Sequence, residues 1–502
     1  FFSGSADFDL NKNIITAHEV KFIRSGDATI FSPQGDITIT QKIESIPVKN
    51  ATLITYNDQI THEIVNADIA ISSRKAFTGK GFTYYSDQKT KANKLSLSKI
   101  SSDQYTGLTT GTGSVTDTSA FRLDENFDYY GAVKLNAEVK HLGFDGFFKI
   151  NTTACRKGPN YWVKFDTLID PKNIVIPIKK DLYSADYQKM EAGYKINRST
   201  GDIYSCFMQP MPDPKDVSLF DASGVILYNK EKSEYRIGAE AIVRNPLLPG
   251  NMVSYIPDEC MVRTKGRFDI NPLFSPTVKF LTYGKGQYNL KNDSIKLNVL
   301  IAFDFPFLTE SSQILVKAIE EANSPVFDIN NDKYIRQLNE WAGEKDAELL
   351  RFDWLTGTTK APASLKTTLL LTDIELKWDP VNQTWDCFGP LGIVVFNGKY
   401  VGRKVPGYLQ LSKRQGVKED ILKLLIRLDD DHYYYFDYGK ASILRIFSTN
   451  NDFVQAVSKE RDAVNAKYEK ETESKRWQPY KISWVNKIEP VNFRAEMEEK
   501  NK

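Results

Sequence analysis

Two short runs of oxygen-bearing side chains have the spacing with which a calcium-binding loop begins. They are Asp124-x-Asn126-x-Asp128 and Asp328-x-Asn330-x-Asp332. Carboxylate and amide oxygens at alternate positions supply the first ligands of such a loop. The second run then has Lys333 where the loop needs glycine and Asn339 where it needs a bidentate glutamate. The sequence therefore predicts a turn at the first run and a helix capped by Asp332 at the second, with calcium as the one candidate cofactor.

Histidine, the most frequent general base and metal ligand, occurs four times in 502 residues. His18 and His62 each lie between apolar residues at alternate positions, which predicts core strand histidines with one satisfied hydrogen bond. A denser polar run, Asp429-Asp430-Asp431-His432, lies between two strongly alternating segments. That position predicts a solvated hairpin turn in place of a metal site.

The known catalytic motifs are missing from the sequence. It contains no Gly-x-Ser-x-Gly, phosphate-binding loop, His-Glu-x-x-His or dinucleotide fingerprint. A carboxylate pair for glycoside hydrolysis is defined by a distance in space, so the sequence leaves that chemistry open. The aromatic residues Trp378, Trp385 and Tyr433 to Tyr435 would suit stacking on sugars, although consecutive tyrosines on a strand must point to both faces. We therefore predict no catalytic residue, and no enzyme.

Four cysteines, Cys155, Cys206, Cys260 and Cys387, are widely separated. Their spacing excludes a zinc ribbon, which needs Cys-x-x-Cys pairs. They allow two disulfides in any of three connectivities in an oxidising compartment, or buried free thiols. The sequence leaves both possibilities open.

Composition narrows the class of protein. Aromatic residues make up 12% of the chain, which favours strands over helices. Lys plus Arg total 66 and Asp plus Glu total 64, so the chain lacks the excess of positive charge that would favour nucleic acid as a partner. No apolar run is long enough for a transmembrane helix. The chain begins at Phe1, inside a repeat motif, and we expect it to be a processed or truncated piece of a longer protein.

A repeated pattern of aromatic residues and glycines organises the chain. Residues 77–85 read Phe-Thr-Gly-Lys-Gly-Phe-Thr-Tyr-Tyr, and related patterns occur at residues 2–10 and 283–290. On a strand, Gly79 and Gly81 share a face and leave room for a neighbouring backbone or a large ring. Self-similar strands of this kind predict stacked coils or a folded-over sheet, in which each strand covers the next.

Apolar residues recur every second position in some parts of the sequence and about every 3.6 positions in others. This change of spacing divides the sequence into five segments. The expected fold is mainly β, with stacked antiparallel β-sheets, a small helical insert and a C-terminal helix. The segments are an OstA-like β-repeat region at 1–110, a β-rich sandwich or continued repeat at 111–308, a helical hairpin and linker at 309–362, an antiparallel β-meander at 363–450, and a charged helix and tail at 451–502. We expect the charged helix to reach about Arg476 and the final Glu/Lys tail to be disordered.

The first region carries a family resemblance. Its segment Asp9-Leu-Asn-Lys-Asn-Ile-Ile-Thr-Ala-His-Glu-Val and the later Gly35-Asp-Ile-Thr-Ile resemble the OstA-like repeat of lipopolysaccharide-transport proteins. The overall composition, rich in Lys, Asn, Phe and Tyr, is similar to that of large β-repeat cell-envelope proteins of Bacteroidota. The resemblance implies a periplasmic or cell-surface location associated with the outer membrane. It also implies partners among other envelope proteins in a multi-subunit complex, with lipid or glycan as further ligands.

Two hypotheses for the function follow. The first is a non-catalytic β-repeat scaffold or transport subunit of a cell-envelope assembly. The alternative is a secreted β protein that binds or cleaves carbohydrate. A cleft with two close carboxylates and aromatic platforms would favour the alternative, and a continuous apolar groove along the first hundred residues would favour lipid handling.

Overall fold

The computed structural model describes residues 2–33, 35–40, 45–86, 93–270, 279–304, 309–358, 360, 362, 365, 367–412, 421–439, 442–473 and 481–502, the side chains of 467–473 excepted. Strands make up 51% of the structure and helices 16%. The sheets are antiparallel throughout, apart from one parallel pair near the C-terminus. The prediction of a mainly β fold with a C-terminal helix is therefore confirmed.

The strands up to Leu168 are β1 (Ser5–Asp9), β2 (Ile14–His18), β3 (Ile23–Ser25), β4 (Ala28–Phe31), β5 (Ile37–Thr40), β6 (Ile46–Asn57), β7 (Ile60–Ile71), β8 (Phe77–Tyr85), β9 (Asn93–Ser102), β10 (Thr109–Val115), β11 (Arg122–Asp124), β12 (Phe127–Asn136), β13 (Gly143–Ile150) and β14 (Val163–Leu168). The middle strands are β15 (Ile176–Ile178), β16 (Met190–Ile196), β17 (Ile203–Pro210), β18 (Val217–Asp221), β19 (Gly224–Asn229), β20 (Glu234–Gly238), β21 (Met252–Ile256), β22 (Met261–Phe268), β23 (Lys279–Asn289) and β24 (Ser294–Asp304).

The last strands are β25 (Leu369–Asp379), β26 (Thr384–Cys387), β27 (Leu391–Phe396), β28 (Lys399–Val405), β29 (Gly407–Ser412), β30 (Ile421–Arg427), β31 (Tyr433–Gly439), β32 (Ile443–Ser448) and β33 (Lys481–Trp484). The helices are α1 (Glu240–Arg244), α2 (Thr309–Glu321), α3 (Asp332–Ala342), α4 (Glu344–Thr356), α5 (Asn451–Glu473) and α6 (Ile488–Lys500). These strands form four sheets. The N-terminal sheet is β1-β2-β5, the first large sheet contains β3, β4 and β6 to β14, the small sheet is β17-β16-β18, and the second large sheet contains β15 and β19 to β33.

The first large sheet is folded over on itself. Four strands, β6 to β9, lie between β4 and β10 in the sheet order, so a flat sheet would hold β4 and β10 about 24 Å apart. Instead, the hydroxyl of Thr109 donates to the carboxylate of Asp27 at 2.5 Å, and the amide of Asp27 donates to the carbonyl of Gly107 at 2.9 Å. The turn between β3 and β4 therefore meets the turn between β9 and β10. The prediction of a folded-over sheet fits this geometry.

The repeated glycines provide the clearance that the sequence predicts. A Cβ atom at Gly79 in β8 would overlap the carbonyl oxygen of Asp68 on the neighbouring strand β7. A Cβ atom at Gly286 in β23 would lie 2.7 Å from the ring of Tyr194, a side chain of the small sheet that is fully buried. Gly79 therefore leaves space for the backbone of the neighbouring strand, and Gly286 leaves space for the ring of Tyr194.

The two large sheets meet in an aromatic junction that a disulfide crosses. Tyr235 of β20 packs edge-on against Phe127 of β12, with ring centroids 5.7 Å apart. Cys155 lies between β13 and β14 of the first large sheet and forms a disulfide with Cys260, which directly precedes β22 of the second large sheet. One of the possible disulfides is thus present, while Cys206 and Cys387 are buried free thiols. Burial raises the pKa of Cys206 to about 12 and that of Cys387 to about 11.

The helical insert begins and ends close to the predicted residues, and it covers the second large sheet on both faces. Helix α2 buries Leu315, Val316 and Ile319 in the main core. Helices α3 and α4 pack on the opposite face, where Leu300 and Ala302 of β24 are buried against them. The sequence has apolar residues at alternate positions from Ile295 to Phe305, which predicts an amphipathic strand, and the two helices explain why both faces of the C-terminal half of β24 are buried. Phe305, the last residue of that predicted strand, lies outside the described residues.

Sheet hydrogen bonding crosses two of the expected segment boundaries. Strand β10 spans residue 110 and continues the first large sheet. Strand β24 pairs directly with β25, with Ala302 opposite Leu370, so the helical insert interrupts one sheet. The hairpin of β27 and β28 also pairs with β25 and lies off the path from β26 to β29, which interrupts the predicted meander. The five-segment division stays a prediction, and its limits do not coincide with those of the sheets.

The prediction of a disordered tail is wrong for residues 481–502. Strand β33 pairs in parallel with β32, and α6 buries Phe493 and Met497. These two side chains are four residues apart and therefore lie on one side of the helix. Such a short apolar stripe is masked in the sequence by the surrounding Glu and Lys residues. Helix α5 ends at Glu473, and Arg476 lies outside the described residues.

Candidate functional site

The first calcium-like run forms a hairpin turn. Asp124 ends β11, and its carboxylate accepts hydrogen bonds from the backbone amides of Asn126 at 2.7 Å and Phe127 at 3.1 Å. Asp128 pairs with the side chain of Arg122 at 3.0 Å. The side-chain amide of Asn126 donates to Asp124 at 3.1 Å, so both carboxylates of the run have partners within the hairpin. The predicted turn is confirmed.

Asp124 also lines a cavity of about 440 Å³ between the large sheets and α1. Its lining includes three cationic side chains, Lys172, Lys230 and Arg244. Burial raises the pKa of Asp124, which disfavours the ionised form that a calcium site requires. The electrostatics of this cavity therefore oppose the binding of a metal cation.

The second calcium-like run precedes α3. Asp328 accepts a hydrogen bond from the backbone amide of Asn330 at 2.9 Å. The helix cap is Asn331, whose side chain accepts from the amide of Lys333 at 3.0 Å, so the prediction that Asp332 caps the helix is wrong by one residue. Asp332 is the first helical residue, where its charge complements the helix dipole. In the part of the chain that the structure describes, no group of three or more His, Cys, Asp or Glu side chains is arranged to hold a metal ion.

Two of the histidine predictions are confirmed. His62 is buried in β7, and its Nε2 lies 2.8 Å from the carbonyl oxygen of Val139. The acidic run at 429–432 is the turn between β30 and β31, where the carboxylate of Asp429 accepts from the backbone amides of Asp431 and His432. These contacts are structural ones.

The prediction of a core histidine is wrong for His18. Its ring nitrogens lie 3.0 Å from the Asp36 carboxylate and 3.1 Å from the Asp7 carboxylate. The hydrogen bond to Asp36, followed by the one to Asp7, raises the pKa of His18. In β2 the core-facing residue is Ala17, so the face shared with His18 is the polar one. The alternating pattern identifies two faces, but here it does not show which of them meets the core.

The aromatic residues considered for sugar stacking lie mainly in the core. Trp385, Tyr434 and Tyr435 are each 1% exposed, and Trp378 packs against Trp385 with ring centroids 5.2 Å apart. Tyr434 contacts Phe453 of α5, while Tyr435 on the opposite face contacts α6. The expectation of an exposed aromatic platform at these residues is therefore wrong, because helices cover both faces of β31.

A row of polar side chains that the sequence does not reveal crosses the second large sheet beneath α6. Its members are register neighbours on adjacent strands: Lys377, Asp386, Gln410, Lys423, Asp437 and Arg445. Helix α6 completes this polar row. Lys500 donates to Asp386 at 2.9 Å, and Arg445 donates to both Asp437 and Glu489. The row attaches α6 to the sheet by charge as well as by apolar packing.

A second site-like feature is a cavity of about 620 Å³ beside the small sheet, which we call the methionine cavity. Three of the six methionines line it: Met190, Met208 and Met211. On its wall, Lys195 is 3% exposed and donates to Glu191 at 3.0 Å and to Asp221 at 2.5 Å. Sequence reasoning missed this cluster. The available signal was a lysine within the apolar strand β16, because a buried lysine needs a charged partner.

The methionine cavity is suited to binding rather than to acid–base chemistry. Its carboxylates each accept hydrogen bonds from the protein, and hydrogen bonds with Asp221 and Glu191 raise the pKa of Lys195 against the opposing effect of burial. A lysine with a raised pKa keeps its proton and is a poor nucleophile.

Searches against protein-family models, curated proteins and solved structures found no match to this chain.

Proposed function

We propose that this chain is a non-catalytic β scaffold or transport subunit of a cell-envelope assembly. The observation that carries the proposal is an apolar strip on the N-terminal sheet. Phe8 is 54% exposed, Leu10 77% and Ile15 41%, and Phe8 lies directly opposite Ile15 on the adjacent strand. Adjacent exposed apolar side chains on a sheet are typical of a surface that another protein covers.

The edge of the N-terminal sheet strengthens this interpretation. Within the described residues, β1 pairs with β2 on one side and has no strand on its other side. An open edge presents unpaired backbone donors and acceptors to a further strand. The apolar strip and the open edge together suit docking of a partner protein.

The disulfide supports a location outside the cytoplasm, and the core packing of the first large sheet supports a structural role. The disulfide between Cys155 and Cys260 is of the kind that persists in an oxidising compartment, such as a periplasm or cell surface. The described helices contain no segment both long enough and apolar enough to span a membrane. The inward side chains of the strands from 46 to 115 fill the core themselves, as Leu53, Ile64 and Leu97 do at 0% exposure. This packing favours a scaffold over a lipid channel in that region.

The alternative, glycan binding or cleavage, has weaker support. Three of the five aromatic residues considered for sugar stacking, Trp385, Tyr434 and Tyr435, are core residues, and the carboxylates of Glu191 and Asp221 in the methionine cavity pair with Lys195. A purified protein that cleaved a polysaccharide, with the activity lost on replacing one carboxylate, would overturn the non-catalytic part of the proposal.

The test compares the size of the native protein in mild-detergent extracts of its own envelope. We expect the wild-type chain to migrate in a larger complex, and the variant Phe8→Ser with Ile15→Ser to migrate alone with an unchanged melting temperature. Leu247→Ser is the matched control, since Leu247 is 72% exposed but lies in a loop away from the N-terminal sheet. A wild-type protein that runs as a lone monomer would contradict the proposal.

A further inference from the structure

The methionine cavity has an apolar floor. Six of its lining side chains, from β15 to α1, form this floor: Ile178, Leu182, Met190, Ala192, Met208 and Ile242. All but Ile242 are nearly inaccessible to solvent, at 2% to 6% exposure. A volume of about 620 Å³ falls within the range of small-molecule sites. Flexible methionine side chains let such a floor adapt to an unbranched chain.

The anionic side chains of the cavity all accept hydrogen bonds from the protein, and two of the three pair with lysine. Glu191 pairs with Lys195 and Lys189, and Asp221 accepts from Lys195 and from the hydroxyl of Ser218 at 2.5 Å. The third acid of the lining, Asp216, accepts from the hydroxyl of Tyr204 at 2.7 Å and from the amide of Arg198 at 2.9 Å. Each of the three carboxylates therefore has protein donors of its own, and the charges of Glu191 and Asp221 are compensated by lysine.

Two cations remain at the mouth. Lys179 and Lys180 follow β15, line the cavity and are exposed. Within the described part of the chain, neither makes an ion pair or a side-chain hydrogen bond, in contrast to Lys189 and Lys195. Their ammonium groups are therefore available to an anion held at the entrance, where both charges stay in contact with water.

The lining argues against a sugar ligand. Its described residues include no aromatic side chain on which a sugar ring would stack. An apolar floor with a cationic mouth instead matches a molecule with one anionic head and one aliphatic chain.

We propose that the methionine cavity binds an anionic amphiphile, with its aliphatic chain on the methionine floor and its head group between Lys179 and Lys180. This site is a property separate from the scaffold role and does not depend on it.

The distribution of methionines provides the test. The protein is labelled with methyl-¹³C methionine and titrated with laurate, below the concentration at which laurate forms micelles. We expect the methyl signals of Met190, Met208 and Met211 to shift and saturate, while those of Met261 and Met497, which do not line the cavity, stay in place. Each signal is assigned by a Met→Leu substitution.

Variants separate the head group from the chain. Lys179→Ala with Lys180→Ala should weaken laurate binding about tenfold without changing the melting temperature, because two charge-assisted contacts are lost. The matched control is Lys230→Ala with Lys232→Ala, two exposed lysines on the turn between β19 and β20, which should bind as the wild type does. Neutral 1-dodecanol should bind at least about tenfold more weakly than laurate.

Several results would overturn the proposal. One is the absence of any shift at the three cavity methionines, and another is an equal shift at all six. An unchanged affinity for laurate in the variant with both lysines replaced would show that the cationic mouth does not take part in binding. The same shifts produced by inorganic phosphate alone, or by a neutral glucan oligosaccharide, would show an anion site or a sugar site in place of an amphiphile site.

Discussion

Strand β7 of the first large sheet buries one face, whereas β31 of the second large sheet is buried on both. In β7, buried residues such as Ile64 and Ile69 alternate with exposed ones. In β31, every residue from Tyr434 to Gly439 is buried. The first large sheet shields its inner face by folding over, and its outer face meets solvent. The second is enclosed between α5 on one face and α6 on the other.

This difference changes what each region requires of its side chains. A sheet with a solvated face places its polar residues in water, and its tight spots are the places where strands approach one another, as at Gly79. A sheet covered on both faces must bury polar residues too, so each needs a partner. The polar row beneath α6 supplies those partners. Both sheets need clearance at their glycines, as at Gly79 and Gly286, but the second also depends on the helices that cover it and on charge pairing.

The largest loss of stability should come from removing the rings of α5 and α6 that cover β31. Phe453→Ala removes a ring of α5 that packs 5.0 Å from Tyr434, and Phe493→Ala removes a ring of α6 that packs 5.7 Å from Tyr435. Each change leaves a cavity in the core and should lower the free energy of unfolding by about 3–5 kcal/mol. Urea denaturation measures this. Phe8→Ala, at an exposed ring, is the control, and a near-neutral Phe493→Ala would show that only one face of β31 depends on its cover.

Breaking the polar row should lower the free energy of unfolding by about 3 kcal/mol. Lys500→Met leaves the Asp386 carboxylate buried at 2% exposure, with Gln410 at 2.9 Å as its remaining partner. Lys502→Met, at an exposed position on the same terminus, should be neutral. Replacing both partners, Lys500→Met with Asp386→Leu, should recover part of the loss, since the carboxylate that is 2% exposed is then removed as well. A double variant less stable than Lys500→Met would contradict the argument from charge pairing.

Filling the space between β7 and β8 of the first large sheet should lower the free energy of unfolding by about 1–3 kcal/mol. Gly79→Val places a branched side chain against the carbonyl of Asp68 and the side chain of Ile69, so β7 and β8 must separate. Lys80→Val, on the neighbouring exposed position of the same strand, is the matched control and should be neutral or slightly stabilising. Thermal denaturation compares the two. An unchanged melting temperature for Gly79→Val would show that the repeated glycines are compositional only.

The smallest effect should be a pH dependence confined to the N-terminal sheet. His18 has its pKa raised above 6.5 by Asp36 and Asp7, so its contribution is complete below pH 6.5 and is lost as the pH rises through the raised value. The pKa of Asp36 is lowered, chiefly by the hydrogen bond from His18, so its contribution is lost only as the pH falls below its usual value of 3.8. Glu19 lies next to His18, and its amide donates to Asp36.

Hydrogen exchange of the amides in β1 and β2, corrected for intrinsic rates, measures this effect. Protection should be higher at about pH 5.5 than at about pH 8.5. His18→Gln should abolish that difference, while amides in β31 should show none in either protein. A pH dependence that persists in His18→Gln would assign it to another group.

Much of the secondary structure and little of the candidate site follow from the sequence. The helical insert and the last β region lie where the change of hydrophobic period predicts them, because a few neighbouring residues set that pattern. The methionine cavity was not predictable in this way. Its walls come from β16, the segments around β15 and β18, and α1, and no local pattern states that these segments meet.

The sequence by itself determined the mainly β class, the helical insert and the turn at 429–432, since each depends on interactions within one or two turns of chain. Only the tertiary structure decided which face of β2 meets the core, which cysteine pairs with Cys155, and which residues are brought together beneath α6. The contacts responsible join residues 105 apart at the disulfide and 114 apart between Lys500 and Asp386. Such partners are selected by how whole sheets pack, and a side chain's type and immediate neighbours do not specify them.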